Sequence, residues 1–415
     1  MLHLDTGNTA FMLLCASLVM LMTPGLAFFY GGLVGRKNVL AIMMQSFASM
    51  GWTTVLWWAF GFSLCFSGDH KSGTDVFGIV GNLHWAGLRG ITLATPSPND
   101  TIPMLVFCAY QMMFAIITPA LITGAFTNRI TFKAYMLFLT AWLVCVYFPF
   151  VHMVWGGGIL AEWGVKDFAG GIVVHNIAGI AALASILYVG KRAVPDRGPH
   201  SIPLVALGTG LLWFGWYGFN AGSEFRVDST TAVAFLNTDV AASFAAISWL
   251  AVDWRVSKKP KFVGLLTGAV AGLATVTPAA GYVSPATAAL IGLIAGVVCY
   301  YACALKTKMG WDDALDVWGV HGVGGFLGIV LLGLFASTSW NAASNGGVDG
   351  LLHGNPRFFF IQLGAALFST AWAFLFTFGM LWLVDRITLV RVTDAHERLG
   401  LDEALHGEMA YTDEA

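Results

Sequence analysis

Apolar residues dominate this chain in blocks of about twenty, separated by short polar stretches. A helix needs roughly 20 apolar residues to cross a bilayer core. Blocks long enough occur at 9–34, 40–66, 103–127, 132–151, 170–190, 202–222, 231–252, 262–279, 284–305, 317–336 and 359–385. The pattern predicts an all-α polytopic membrane protein with eleven transmembrane helices. The first block is too long for a signal-peptide core and has no small-residue cleavage site after it. If the N-terminus lies outside, the inner loops and the tail hold sixteen of the 21 Lys and Arg, Arg197 among them. The outer side then keeps only Lys71, Arg89, Lys166, Arg226 and Arg357. Basic residues collect on the cytoplasmic side, so the expectation is N-terminus out and C-terminus in.

One stretch occurs twice. DFAGGIVVHNIAGI, from Asp167, and DALDVWGVHGVGGF, from Asp313, share Asp, seven residues, His, three residues, Gly. The shared positions are Asp167, His175 and Gly179 in one copy and Asp313, His321 and Gly325 in the other. Eight helical residues rise about 12 Å, which puts a carboxylate at the mouth of an apolar helix and an imidazole well inside it. The copies enter the fifth and tenth blocks. An odd number of helices separates them, so the halves run in opposite senses, as in inverted-repeat transporters with a substrate path at the repeat interface. The plan is a membrane domain over 1–385, with halves at about 9–200 and 201–336 and an extra helix at about 359–385. A polar cytoplasmic tail, 386–415, follows. Loops are short except the outer segments around 67–102 and 337–358.

Composition agrees. Hydrophobic residues make up 57% of the chain and charged ones 11%, with mean hydropathy +0.73, against about a quarter charged in soluble domains. The 49 Gly suit close helix approach, and stripes such as Gly264, Gly268 and Gly272 read as packing surfaces. A net charge of -2 points away from nucleic acid. All six Cys fall in apolar blocks and read as free thiols. Cys299 and Cys303 share a helix face but bring no His or carboxylate, so neither metal nor cofactor is expected.

The candidate chemistry starts with His175 and His321, of the ten His the two placed deep in blocks. Ionisable groups inside a membrane are costly and default to function with a nearby partner. Matching positions in opposed halves make each the other's partner, and burial favours a neutral pair with one ring donating to the other. A structural bond between helices is the alternative, and the symmetric repetition favours function. Asp167 and Asp313 suit N-caps, which alone accounts for both; Asp167 also sits where it would ease a cation's approach to the outer face. Trp155, in HMVWGGG, offers a ring face for a cation, although at a helix end the interfacial-anchor role is favoured on sequence alone. Phe219 and Ser223, in GWYGFNAGS, and Phe114, in AYQMMFAIIT, reach comparable depth, where periodicity does not separate a gate from packing.

These motifs, with PGLAFFYGGLVGRKN, TPAAGYV and the tail's GLDEALHGEMAY, closely resemble the ammonium transporter family (Amt/Mep/Rh), on the Amt side, over nearly the whole chain. The resemblance implies eleven helices per subunit in a homotrimer, in the cell membrane (the inner one in a Gram-negative bacterium), with no enzymatic activity. It implies an outer ammonium-recruiting site at Trp155, Ser223 and Phe114, and a gate of stacked rings at Phe114 and Phe219. It further implies a twin-histidine pore at His175 and His321 and a structural, cation-stabilising Asp167. A PII-type signal protein is the implied partner at the cytoplasmic face, with GLDEALHGEMAY as a docking or coupling element. Tyr110 departs from many relatives, which carry another aromatic there.

Ammonium matches potassium in size and charge but donates hydrogen bonds and can lose a proton. The expected mechanism uses both differences: recruitment by Ser223 and aromatic faces, deprotonation, ammonia passage past the histidines, and separate proton movement, with electrogenic transport favoured. Competing readings are a neutral-gas pore of the Rh type, an ammonium sensor, and a membrane enzyme using the two histidines. The recruiting site argues against the first, the short tail against the second, and the lack of a third ligand or nucleophile against the last.

Overall fold

In a computed structural model, residues 4–195 and 198–411 are described. Arg197, among the inner basic residues above, and the tail's last four residues lie outside them. In hydrocarbon every backbone N–H and C=O must be satisfied within the protein. Accordingly, the described residues form helices, with isolated bridges in place of any strand. Ten helices are long and apolar enough to cross a membrane. In chain order these are α1 (Thr6–Leu33), α2 (Arg36–Phe66), α3 (Met104–Phe126), α4 (Phe132–Glu162), α5 (Gly171–Val189), α6 (Ile202–Glu224) and α7 (Ser229–Ser257). After the shorter apolar α8 (Phe262–Val276) come α9 (Pro285–Lys308), α10 (Trp318–Phe335) and α11 (Pro356–Ile387). Every apolar block thus has its helix. α8 stops short of the expected 279, ahead of Pro278, whose ring and missing N–H suit a turn better than a helix interior.

α1 packs along α6, the corresponding element of the second half, and α5 crosses α10. Glycine sets that second crossing. A Cβ on Gly325 would sit 2.9 Å from the His175 Cβ and 2.6 Å from the Asn176 nitrogen, and one on Gly179 would run into the Gly322 backbone. The repeated Gly is what lets the two copies touch where they carry their histidines. Both copies also loosen into a π-turn there, at Gly171–Asn176 and Trp318–Gly322, a local widening common at functional sites.

Large side chains such as Phe360 (66% exposed) and Leu375 (67% exposed) face outward from α11, as a lipid-facing surface requires. The tail folds back on the bundle. Thr131 N–H donates to the Val390 carbonyl (2.9 Å) and Val392 N–H to that of Arg129 (2.8 Å). The Asp402 carboxylate accepts from Ala41 N–H at 2.8 Å.

Candidate functional site

A cavity of about 400 Å³ opens between α3, α4 and the end of α6, lined by Phe114, Trp155 and Ser223 among others. Trp155 closes the last turn before the glycine break at Gly156–Gly158 in α4. Its indole N–H donates to the Asp167 carbonyl at 2.8 Å, which fixes the ring edge-on to Phe114, centroids 6.0 Å apart at 86°. Ser223 lies in the short turn that ends α6 and donates to the Phe219 carbonyl at 2.9 Å. Its oxygen lone pairs remain to accept. Tyr110 braces this corner: its hydroxyl lies 2.9 Å from the Gly218 carbonyl, 2.8 Å from that of Phe219 and 3.2 Å from Ser223 Oγ.

Phe114 and Phe219 stack with centroids 4.2 Å apart and 24° between planes, both nearly fully buried. Beyond them is a far smaller, apolar cavity lined by Phe219, Trp216, His175 and His321, with room of about 10 Å³, on the order of one water-sized molecule. A second space of about 10 Å³ continues past His321 toward Leu315 and shares Phe29, Tyr30 and Val270 with the first. His175 Nδ1 and His321 Nδ1 are 3.2 Å apart, so one ring donates its N–H to the other. The imidazole planes lie 20° apart with centroids at 5.2 Å. Trp216 stacks on the other side of His175 (5.3 Å, 21°) and anchors its own N–H on Thr277 Oγ1 at 2.9 Å. Among the described residues, the His175 Nε2 has no hydrogen-bond partner.

The two Asp of the repeat are caps. Asp167 accepts four backbone N–H bonds, from Gly170 and Gly171 on Oδ1 (2.9 and 2.6 Å) and from Ile172 and Val173 on Oδ2 (2.7 and 3.2 Å). All its acceptor capacity goes to opening α5. Asp313 accepts from Trp318 N–H at 2.8 Å at the start of α10. Burial pushes its carboxyl up to about 6, against the pull of Lys306.

The model of the Ammonium Transporter Family matches residues 10–411. The chain is 43% identical over 412 residues to an ammonium transporter of Bacillus subtilis, covering 99% of this chain and 100% of that protein. It is 42% identical over 412 residues to the ammonium transporter Amt1 of Archaeoglobus fulgidus, with the same coverage. The chain belongs to the ammonium transporter family. Among solved structures, Mep2 of Saccharomyces cerevisiae superposes with a TM-score of 0.88 at 33% identity, over 94% of this chain and 88% of that one. A sensor Amt protein superposes at 0.86 and 29% identity, over 96% and 98%. Like its relatives, this family member is a multi-pass membrane transporter and not an enzyme.

In this ammonium transporter the residues singled out from sequence fall into two groups. Phe114, Trp155 and Ser223 line one cavity, and His175, His321 and Phe219 line the next. Asp167 lines the larger cavity with its carboxylate already engaged, and Asp313 lies apart from both. Sequence reasoning missed Trp216, whose place beside His175 depends on the α5–α6 packing. It also left Tyr110 without a role. The hydroxyl's three partners sit more than a hundred residues away in sequence, a relation no local pattern signals.

Proposed function

We propose that this protein recruits ammonium in the outer cavity, that the ion gives up its proton to the His175–His321 pair on passing the Phe114–Phe219 stack, and that ammonia moves on along the twin-histidine spaces. The observation carrying this reading is the succession of cavities: a polar-rimmed vestibule, a stacked aromatic closure, then two apolar spaces joined at His321. In the vestibule a cation meets the ring faces of Trp155 and Phe114 and the free lone pairs of Ser223. Ammonium can donate to the Ser223 oxygen while its charge meets the rings; potassium is drawn to the same oxygen and rings but has no proton to give up below them. Below the stack an intact charge would lose its hydration without replacement, a cost of many kcal/mol for an unpaired ion. Neutral ammonia avoids that cost. It fits the small spaces and can donate to, or accept from, an imidazole nitrogen as it passes. The His175–His321 bond gives the proton a separate route, since each ring can take it on one nitrogen and release it from the other. Net transport then carries charge.

The homotrimer and a PII-type partner on the cytoplasmic face belong to the same proposal. A second reading, ammonium sensing, draws on the likeness to the sensor Amt protein. Ammonium binding without flux would favour it. The recruiting role is tested with Trp155→Leu and Ser223→Ala in proteoliposomes. Each is expected to raise the half-saturating ammonium concentration about three- to tenfold, from about 1 kcal/mol of lost cation–π or hydrogen-bond energy. Unchanged half-saturation in both would remove the role.

A further inference from the structure

The outer cavity has acceptors that the mechanism above leaves unused. Glu224 follows Ser223, lines the same cavity and keeps its side chain 8% exposed. Its Oε1 is heavily occupied, receiving Asn345 Nδ2 at 2.8 Å and Arg226 Nε and Nη2 at 3.1 and 3.0 Å. No hydrogen bond among the described residues falls on Oε2. Asn341, 2% exposed, lines the cavity from the segment between α10 and α11, and its Oδ1 accepts no hydrogen bond among the described residues.

We infer that Glu224 and Asn341 form an outer collecting site for a small, hydrogen-bond-donating monovalent cation, ahead of Trp155 and Ser223. The inference rests on reading this cavity as the ammonium vestibule, and deepens it. Asn345 holds Oε1 even without help from the exposed Arg226, so the carboxylate stays placed and the second oxygen is left to a visitor. A carboxylate in a concave, low-dielectric wall focuses its field into the cavity and raises the local cation concentration. The surrounding charges do not cancel this. Arg226 is 37% exposed and is shared with Asp228 at 2.9 Å. Asp167 spends its carboxylate on backbone N–H groups, and Lys166 is the opposing cation in the lining. Ammonium, with four N–H donors, can bond the Glu224 carboxylate and the Asn341 amide oxygen together.

The test is the concentration dependence of ammonium-evoked current in proteoliposomes, at two ionic strengths, for wild type, Glu224→Gln, Asn341→Ala and Arg226→Gln. Glu224→Gln is expected to raise half-saturation roughly three- to tenfold, to change saturating current less, and to flatten the salt dependence. Asn341→Ala is expected to shift half-saturation the same way with the salt dependence intact. Arg226→Gln, at an exposed position, removes a competing charge and is expected to lower half-saturation, a direction that misfolding does not produce. Half-saturation unmoved in Glu224→Gln, or raised in Arg226→Gln, would overturn the collecting site while wild-type current upholds the vestibule. Wild type without ammonium-specific current would overturn the vestibule itself.

Discussion

Tyr110 shows how much one side chain settles at this site. Its ring packs on Phe114 with centroids 5.0 Å apart, and its hydroxyl reaches the final turn of α6 and Ser223. One residue thus sets both the Phe114 ring and the Ser223 hydroxyl. Tyr110→Phe keeps the ring and removes the hydroxyl, leaving buried acceptors short of a donor, and should cost about 1 kcal/mol of stability. Thermal unfolding in detergent should show the loss, and half-saturation for ammonium should rise as Ser223 loosens; an unchanged melting profile and half-saturation would contradict the bracing role. The histidines were legible in sequence because the Asp–His–Gly spacing repeats, and repetition survives without any knowledge of the fold. Tyr110 and Trp216 were not, because each acts through contacts made only when α6 meets α3 or α5.

Elements explain the rest. The α5–α10 crossing works because Gly179 and Gly325 let backbones approach and because both helices open into π-turns at the histidines. The spans themselves could be read from hydropathy alone, but a π-turn depends on carbonyls that shift register under packing and leaves no composition signal. The segment after α2 is tied to α4 by another pair that the sequence hid. Asp75, its side chain 2% exposed, meets His152 Nε2 at 3.0 Å and His70 Nδ1 at 3.4 Å. Burial opposes its ionisation, but bonds from His152, the Gly78 N–H and His70 outweigh that and hold the carboxyl below its usual range. A carboxyl depressed on folding adds stability that is present above its unfolded value of about 4 and lost as pH falls through the folded one. Hydrogen exchange across residues 67–85, taken relative to the intrinsic amide rate at each pH, should therefore rise as pH drops below about 4. Asp75→Asn should show faster exchange already at neutral pH, with a weaker acid dependence; wild-type-like exchange in the variant would exclude Asp75 as the tie.

At the scale of the whole molecule, the bundle and its tail form one connected structure. Glu397, 7% exposed, accepts from Ala193 N–H at 2.6 Å and from Arg391 Nη2 at 2.8 Å. Arg129, fully buried, donates to the Gly190 and Asp312 carbonyls at 2.5 and 2.8 Å and to that of Ala125. The loops after α3, α5 and α9 thus meet the start of the tail, around Arg391 and Glu397, at one face. Glu397→Ala should raise amide exchange over 388–411 about tenfold, the effect of losing about 1.4 kcal/mol of docking energy; equal exchange would show that the tail holds by other contacts. The central claim is that ammonium crosses as ammonia and a separate proton along His175 and His321. It is tested most directly by ammonium-triggered current in proteoliposomes of the purified protein, with potassium pulses as control and a His175→Ala/His321→Ala double variant alongside. The account predicts current for ammonium and none for potassium in wild type, with the current reduced or its selectivity lost in the variant. Internal alkalinisation without current, or a variant with the current and selectivity of wild type, would contradict it.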